Sequence, residues 1–182
     1  NQLKKLNIKK LGFEQNDVTY AQYALYNKVF ENIELIPVDN MIEQLREIKT
    51  EEEIVIMEKA AEIADKAFEH ILTFIKPGVK EIDVANELEF YMRKLGATSS
   101  SFDIIVASGH RSALPHGVAS EKEIQAGELV TMDFGALYEG YCSDITRTVA
   151  VGEISDQWRD IYYILLTAQK LGVEHNKPCI TG

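Results

Sequence analysis

Two strand-forming runs, ELVTMDFGAL (128–137) and YCSDITRTVAVG (141–152), are separated only by Tyr138-Glu139-Gly140. Both are rich in β-branched and aromatic residues, and a gap this short joins antiparallel neighbours. The hairpin this predicts constrains the chain more than any other segment, because it fixes which side chains meet. Side chains alternate between the faces of a strand. Thr131, Asp133 and Gly135 therefore share one face of the first strand, and Asp144, Thr146 and Thr148 share one face of the second. A two-residue turn at Glu139-Gly140 sets Asp133 opposite Thr146 and diagonal to Asp144. A turn at Tyr138-Glu139 sets the two aspartates directly opposite. Either turn puts both carboxylates on one face, roughly 5–8 Å apart; a bulge or an odd-length loop would break the inference.

Two carboxylates at about 5 Å repel by roughly 3 kcal/mol at an effective dielectric of about 20. A shared proton, a nearby Arg or Lys, or a divalent cation relieves that repulsion. Arg147 falls on the other face in this register. Cations with oxygen ligands suit carboxylates, and one carboxylate can bridge two metals. The plainer reading is a pair of solvated aspartates on an exposed face. The neighbouring Val, Met, Phe and Ile read as buried strand and make that less comfortable. His116 lies in LPHG, between Pro115 and Gly117, a loop setting that exposes an imidazole, although a lone loop histidine is more often plain surface. His70 and His175 read as structural, and His110 is unassigned.

Upstream, Thr50-Glu51-Glu52-Glu53 has the form of a capping box. Ile54, Met57, Ala61, Ala64, Phe68, Ile71, Leu72 and Ile75 then recur at a helical period until Pro77-Gly78 stops the helix. A second helix carries Val84, Leu88, Met92 and Leu95 on one face and stops at Gly96. Both read as packing helices without chemistry. SFDIIVASG (101–109) predicts a strand, and residues 110–127 a polar loop. A last helix after Asp156 has Ile161, Tyr162, Leu165, Leu166 and Val173 as its apolar set.

The first fifty residues predict a strand near Ile8–Phe13, a helix over 18–30, a strand over 33–40 and a helix over 41–48. That is too little for a domain and reads as the end of an αβ domain. An offset of 101 residues aligns Ala67 with Ala168, Lys76 with Lys177, Pro77 with Pro178, and Val79 with Ile180, a faint sign of a second, similar half.

Composition narrows the partners. The net charge is −10 over 182 residues, which argues against nucleic acid, because phosphate binding needs a basic face. No apolar run is long enough to span a membrane. Cys142 and Cys179 have neither disulfide nor zinc spacing and fit a reducing cytoplasm.

SFDIIVASGHRSALPHG followed by LVTMDFGALYEGYCSDITRTVAVG resembles the pita-bread metallopeptidases, which include aminopeptidase P, Xaa-Pro dipeptidases (prolidases), methionine aminopeptidases and creatinase. The resemblance covers about Thr50 to Gly182. It implies an α+β fold: 50–182 as the first half of a pita-bread catalytic domain, and 1–49 as the remnant of a creatinase-N-like αβ domain. It implies two divalent metals, manganese or cobalt, with Asp133 as a ligand of one and Asp144 bridging both. His116 matches a histidine beside the substrate that helps stabilise the tetrahedral intermediate, and Phe102 an aromatic near the substrate pocket. The αβ remnant favours an Xaa-Pro exopeptidase acting on a proline-containing dipeptide or peptide, with a homodimeric parent. A creatinase-like enzyme, a methionine aminopeptidase and a non-catalytic binding module on the same fold are the alternatives. The family's remaining ligands, a histidine and two glutamates, are not in residues 1–182, so this segment alone is expected to be inactive.

Overall fold

The computed structural model of the protein describes residues 5–178. Cys179 and Ile180 lie outside the described residues. The chain divides into two compact units, Asn1–Thr50 and Glu51–Gly182.

In the first unit, β1 (Lys10–Glu14) and β2 (Glu34–Val38) pair in parallel, Lys10 with Glu34 and Glu14 with Val38. Parallel neighbours need a crossover, here supplied by α1 (Tyr20–Val29). Thr19 caps α1: its hydroxyl accepts from the Gln22 amide, and the Gln22 side chain accepts from the Thr19 amide at 2.8 Å. The helix α2 (Met41–Glu47) follows β2.

The second unit opens with a helical pair, α3 (Glu51–Phe74) and α4 (Glu81–Lys94). Gly78, at φ +89°, makes the turn between them and donates to the Ile124 carbonyl. The buried stripe of α3 is Ala60, Ile63, Ala64, Ala67 and Ile71. Sequence periodicity placed Ile54, Met57 and Leu72 on that face, and all three are exposed. The contact face instead carries three alanines, which let α3 lie close against its neighbours, and the bulkier residues flank it. On α4, Val84, Leu88 and Met92 are buried as expected, and so is Glu81.

Next come β3 (Ser99–Ser100), β4 (Ile105–Ser108), a 3-10 turn (Gly109–Ala113), β5 (Glu128–Phe134), β6 (Ala136–Tyr138), β7 (Tyr141–Cys142) and β8 (Ile145–Val151). They form two antiparallel sheets, β4-β5-β8 and β3-β6-β7. The strand expected over 101–109 is shorter, because Ser101 leaves the β4 path to donate its amide to the Gly135 carbonyl at 2.9 Å. Val106, Val130, Met132 and Phe134 point from β4 and β5 into the core and pack on α3 and α4. On the opposite face, residues 112–117 cover part of β4 and β5, and Thr146 on β8 is exposed among the described residues.

The last helix, α5 (Asp156–His175), is capped by Ser155. None of its described residues is buried: of the expected apolar set, Ile161, Tyr162, Leu165 and Val173 are exposed and Leu166 is half-buried. No described helix is long and apolar enough to cross a membrane.

Candidate metal centre

The predicted hairpin is present with the turn at Glu139-Gly140. Tyr138 pairs with Tyr141 and Leu137 with Cys142. Glu139 and Gly140 have φ of 45° and 87°, the paired positive values that match the twist of a two-residue hairpin. The same register runs to the far end, where Phe134 meets Ile145, Asp133 meets Thr146 and Glu128 meets Val151. By the same count Gly135 lies opposite Asp144, which makes Asp144 diagonal to Asp133. The alternative turn is excluded.

Both arms break at one level. Gly135 separates β5 from β6, and Ser143-Asp144 separates β7 from β8. The Ser143 amide donates to the Ala136 carbonyl at 2.9 Å, but the Ala136 amide donates to the Ser143 hydroxyl, not to its carbonyl. That carbonyl is turned away and accepts from the Ser101 hydroxyl at 2.8 Å. A Cβ on Gly135 would lie 1.8 Å from the Ser143 oxygen. Only glycine permits this approach, and it sets the backbone from which Asp144 projects.

Asp133 is half-buried and Asp144 is exposed. Neither is sealed in the core as the surrounding apolar residues suggested, because the break lifts Asp144 out of the ladder onto the open face. The Thr146 hydroxyl donates to Asp133 Oδ1 at 3.0 Å. Partial burial pushes the Asp144 carboxyl above its ordinary value, and the adjacent Asp133 charge and hydrogen bond push it further. Arg147 offers no relief: its guanidinium lies over the Phe68 ring, 6.0 Å from the centroid, on the helix side of the sheet. The two carboxylates thus share a face, repel, and have no cationic side chain paired with them among the described residues.

Asp133 lies on the rim of a cleft of about 290 Å³, with Ile105, Ala107, Leu114, Pro115, Thr131 and Thr146 around it. One wall is the loop that carries His116. The loop meets the sheet where Val118 bridges to Ile105, which itself pairs with Asp133. Gly117 is buried there, and a Cβ on it would come within 2.9 Å of the Ala107 Cβ. His116 is exposed next to this contact; its carbonyl accepts from the Val118 amide at 2.9 Å. Its imidazole has no hydrogen-bond partner among the described residues. Phe102 is half-buried between β3 and β4; like Asp144 and His116, it does not line this cleft. The structure therefore brings the two aspartates together and sets the His116 loop beside the Asp133 cleft, with Phe102 outside its lining.

Reading the helices as packing alone missed Glu81. It is fully buried and accepts from the Ser108 amide and hydroxyl (2.7 and 2.8 Å), Arg111 Nε (2.9 Å), and the Ser120 amide and hydroxyl (3.2 and 2.6 Å). The signal was in the spacing: Glu81 stands three residues before Val84, four before Ala85 and seven before Leu88, on the apolar stripe of α4.

Carboxylate oxygens on an open face match the donors a hard divalent cation takes. Two residues are an incomplete set, and among the described residues no three His, Cys, Asp or Glu side chains cluster closely enough to hold a metal.

Comparison with known proteins places these features. Residues 55–182 match metallopeptidase family M24, and residues 1–48 match the creatinase/prolidase N-terminal domain. The chain is 66% identical over 175 residues to the uncharacterized peptidase YqhT of Bacillus subtilis, covering 96% of this chain and 50% of that protein. The solved Xaa-Pro dipeptidase from Bacillus anthracis is similar at a TM-score of 0.90 and 63% identity, over 97% of this chain and 49% of that one. The X-Pro aminopeptidase from Thermotoga maritima superposes with a TM-score of 0.89 at 41% identity, over 93% and 48%. The chain spans about half the length of the relatives it matches.

Proposed function

The chain belongs to metallopeptidase family M24, and from that premise we propose that it is the leading half of an exopeptidase that cleaves the Xaa-Pro bond of dipeptides or proline-containing peptides. One observation carries the reading: Asp133 and Asp144 are set on one open sheet face by the hairpin register and repel each other there. A fold that holds two like charges together has a use for a cation between them. In this reading Asp133 and Asp144 are ligands in a site for two divalent ions, manganese or cobalt. The bound metals would supply a water of lowered pKa as nucleophile and charge stabilisation for the transition state. His116, which is exposed and whose imidazole has no hydrogen-bond partner among the described residues, donates to the oxygen that gains charge as the peptide carbonyl becomes tetrahedral. Thr146 orients Asp133 through its 3.0 Å bond. Phe102 enters only by resemblance, as an apolar neighbour of the substrate. The homodimer rests on the resemblance as well and is read by light scattering.

The test is turnover of an Xaa-Pro panel by the full-length protein with manganese or cobalt and verified metal content. Cleavage of dipeptides but not longer peptides identifies a dipeptidase, and the reverse an aminopeptidase P. No cleavage across the panel by metal-loaded protein would leave a binding module on the same fold.

A further inference from the structure

The fully buried carboxylate of Glu81 is the group in the second unit that the proposed chemistry does not use, and its surroundings are unusually one-sided. All five of its hydrogen-bond donors lie on one short stretch: two on Ser108, where β4 ends and the loop begins, one on Arg111, and two at the loop's end, on Ser120. His116 sits between them, five residues after Arg111 and four before Ser120. Arg111 extends the clamp inward, donating from Nη2 to the Val118 carbonyl at 2.7 Å. Val118 bridges to Ile105, and Ile105 pairs with Asp133. A second ion pair fastens the base, where Lys122 Nζ donates to the Ser108 hydroxyl at 2.7 Å and to Glu128 at 2.7 Å.

A buried carboxylate holds its donors firmly, because any donor that leaves exposes the protein to the cost of an unsatisfied charge. The loop conformation is therefore set by α4, an element outside the cleft. The backbone on both sides of His116 is fixed, while its exposed imidazole has no hydrogen-bond partner among the described residues. A clamped backbone limits where the His116 side chain can reach, the first requirement of a positioned reacting group.

We propose that Glu81 is a positioning residue, which clamps both ends of the 108–120 loop and so fixes His116 against the Asp133–Asp144 face. The inference rests on the Xaa-Pro exopeptidase reading for its catalytic consequence. A stabilising staple would also be buried and well bonded, so the test must separate the two roles.

The test is a double-mutant cycle in the metal-loaded, full-length protein, with Glu81→Gln and His116→Ala made singly and together. If Glu81 works through His116, Glu81→Gln lowers kcat by about 10- to 100-fold, the range for displacing a catalytic group by about an ångström. KM changes by less than about threefold, and the substitution has almost no further effect once His116 is alanine. An equal loss in both backgrounds, or unchanged kcat with only a lower Tm, overturns the proposal. Should Glu81→Gln not fold, Ser120→Ala, which keeps the Ser120 amide donor, goes through the same cycle with a smaller loss expected. If the wild-type protein cleaves no Xaa-Pro substrate, the functional reading falls by itself. Amide exchange over 111–120 then decides the clamp: faster exchange in the variant sustains it, and unchanged protection overturns it.

Discussion

Gly135→Ala is the sharpest perturbation the hairpin offers. The new methyl would stand 1.8 Å from the Ser143 carbonyl oxygen, 2.6 Å from its carbon and 2.4 Å from the Ser101 hydroxyl. A carbon and an oxygen rest at roughly 3.3 Å or more, so about 1.5 Å must be recovered. The obstacle is backbone, and its partners hold it: Ser101 donates to the Ser143 oxygen, and Ser143 exchanges two bonds with Ala136. Moving it loosens at least two hydrogen bonds, each worth about 1 kcal/mol net, and adds about 1–3 kcal/mol of overpacking strain. A loss of about 3–5 kcal/mol is expected, read as a lower urea midpoint at unchanged slope. Gly78→Ala is the matched control. Nothing lies within 4 Å of its added Cβ, but its φ is +89°, so only backbone strain of about 1–2 kcal/mol applies. The two glycines are needed for different reasons, space in one case and dihedral freedom in the other. Manganese affinity of the full-length protein should fall with Gly135→Ala and stay unchanged with Gly78→Ala. A Gly135→Ala protein within about 0.5 kcal/mol of wild type would refute the close-approach argument.

Three further outcomes follow from the charges and the turn. In metal-free buffer near neutral pH, Asp133→Asn should stabilise the protein by about 0.5 kcal/mol, a figure kept small because the pair is solvent-screened. The sign follows from the raised Asp144 carboxyl: the protonated form is favoured in the fold, so stability is full at low pH and is lost as pH rises through the folded value. Thermal melts in chelator across pH 3–8 read it, and a destabilised Asn variant at neutral pH contradicts it. Glu81 has the opposite sign. Its burial pushes the carboxyl up, but the Ser120 and Ser108 hydrogen bonds and the Arg111 charge outweigh that and hold it below the ordinary value. Its stabilisation is complete above the unfolded carboxylate value and is lost as pH falls through the lower folded one. Glu81→Gln should therefore flatten the acid limb of the Tm profile below about pH 4.5. Finally, Glu139 holds φ of 45° without being glycine, and Glu139→Asn should gain about 0.5 kcal/mol in denaturant unfolding by suiting the first turn position better.

Much of this was legible because strands count residues. The strand alternation and the short Tyr138-Glu139-Gly140 gap fixed the shared face of Asp133 and Asp144, and the Glu139-Gly140 turn fixed the diagonal. The exposure of Asp144 was not legible, because it depends on how the Ser143 carbonyl turns toward Ser101, a contact across 42 residues of chain. On α3 the periodicity gave a helix but placed the wrong residues inward, since hydrophobicity alone ranks Ile54 and Met57 above Ala60, while close packing prefers alanine. On α4 the same periodicity contained Glu81, and only the habit of discounting a charge on an apolar stripe hid it. The loop residues Ser108, Arg111 and Ser120 gave no sequence signal, because what unites them is a carboxylate 27 to 39 positions upstream.

The two-residue turn at Glu139-Gly140 also determines when and how the aspartate pair can come into being. A hairpin closes in about 1–10 μs, whereas a ribosome adds about 5–20 residues per second. Asp133 and Asp144 are therefore neighbours almost as soon as Val151 is free to fold, and well before distant segments can be added to them. The same economy makes the turn intolerant of length change during evolution. One residue gained or lost between Tyr138 and Tyr141 slips the register by one, which would rotate one aspartate from the open face to the side occupied by Met132 and Arg147. Lineages that keep the pair should hold this turn to residues that tolerate positive φ and vary its length not at all.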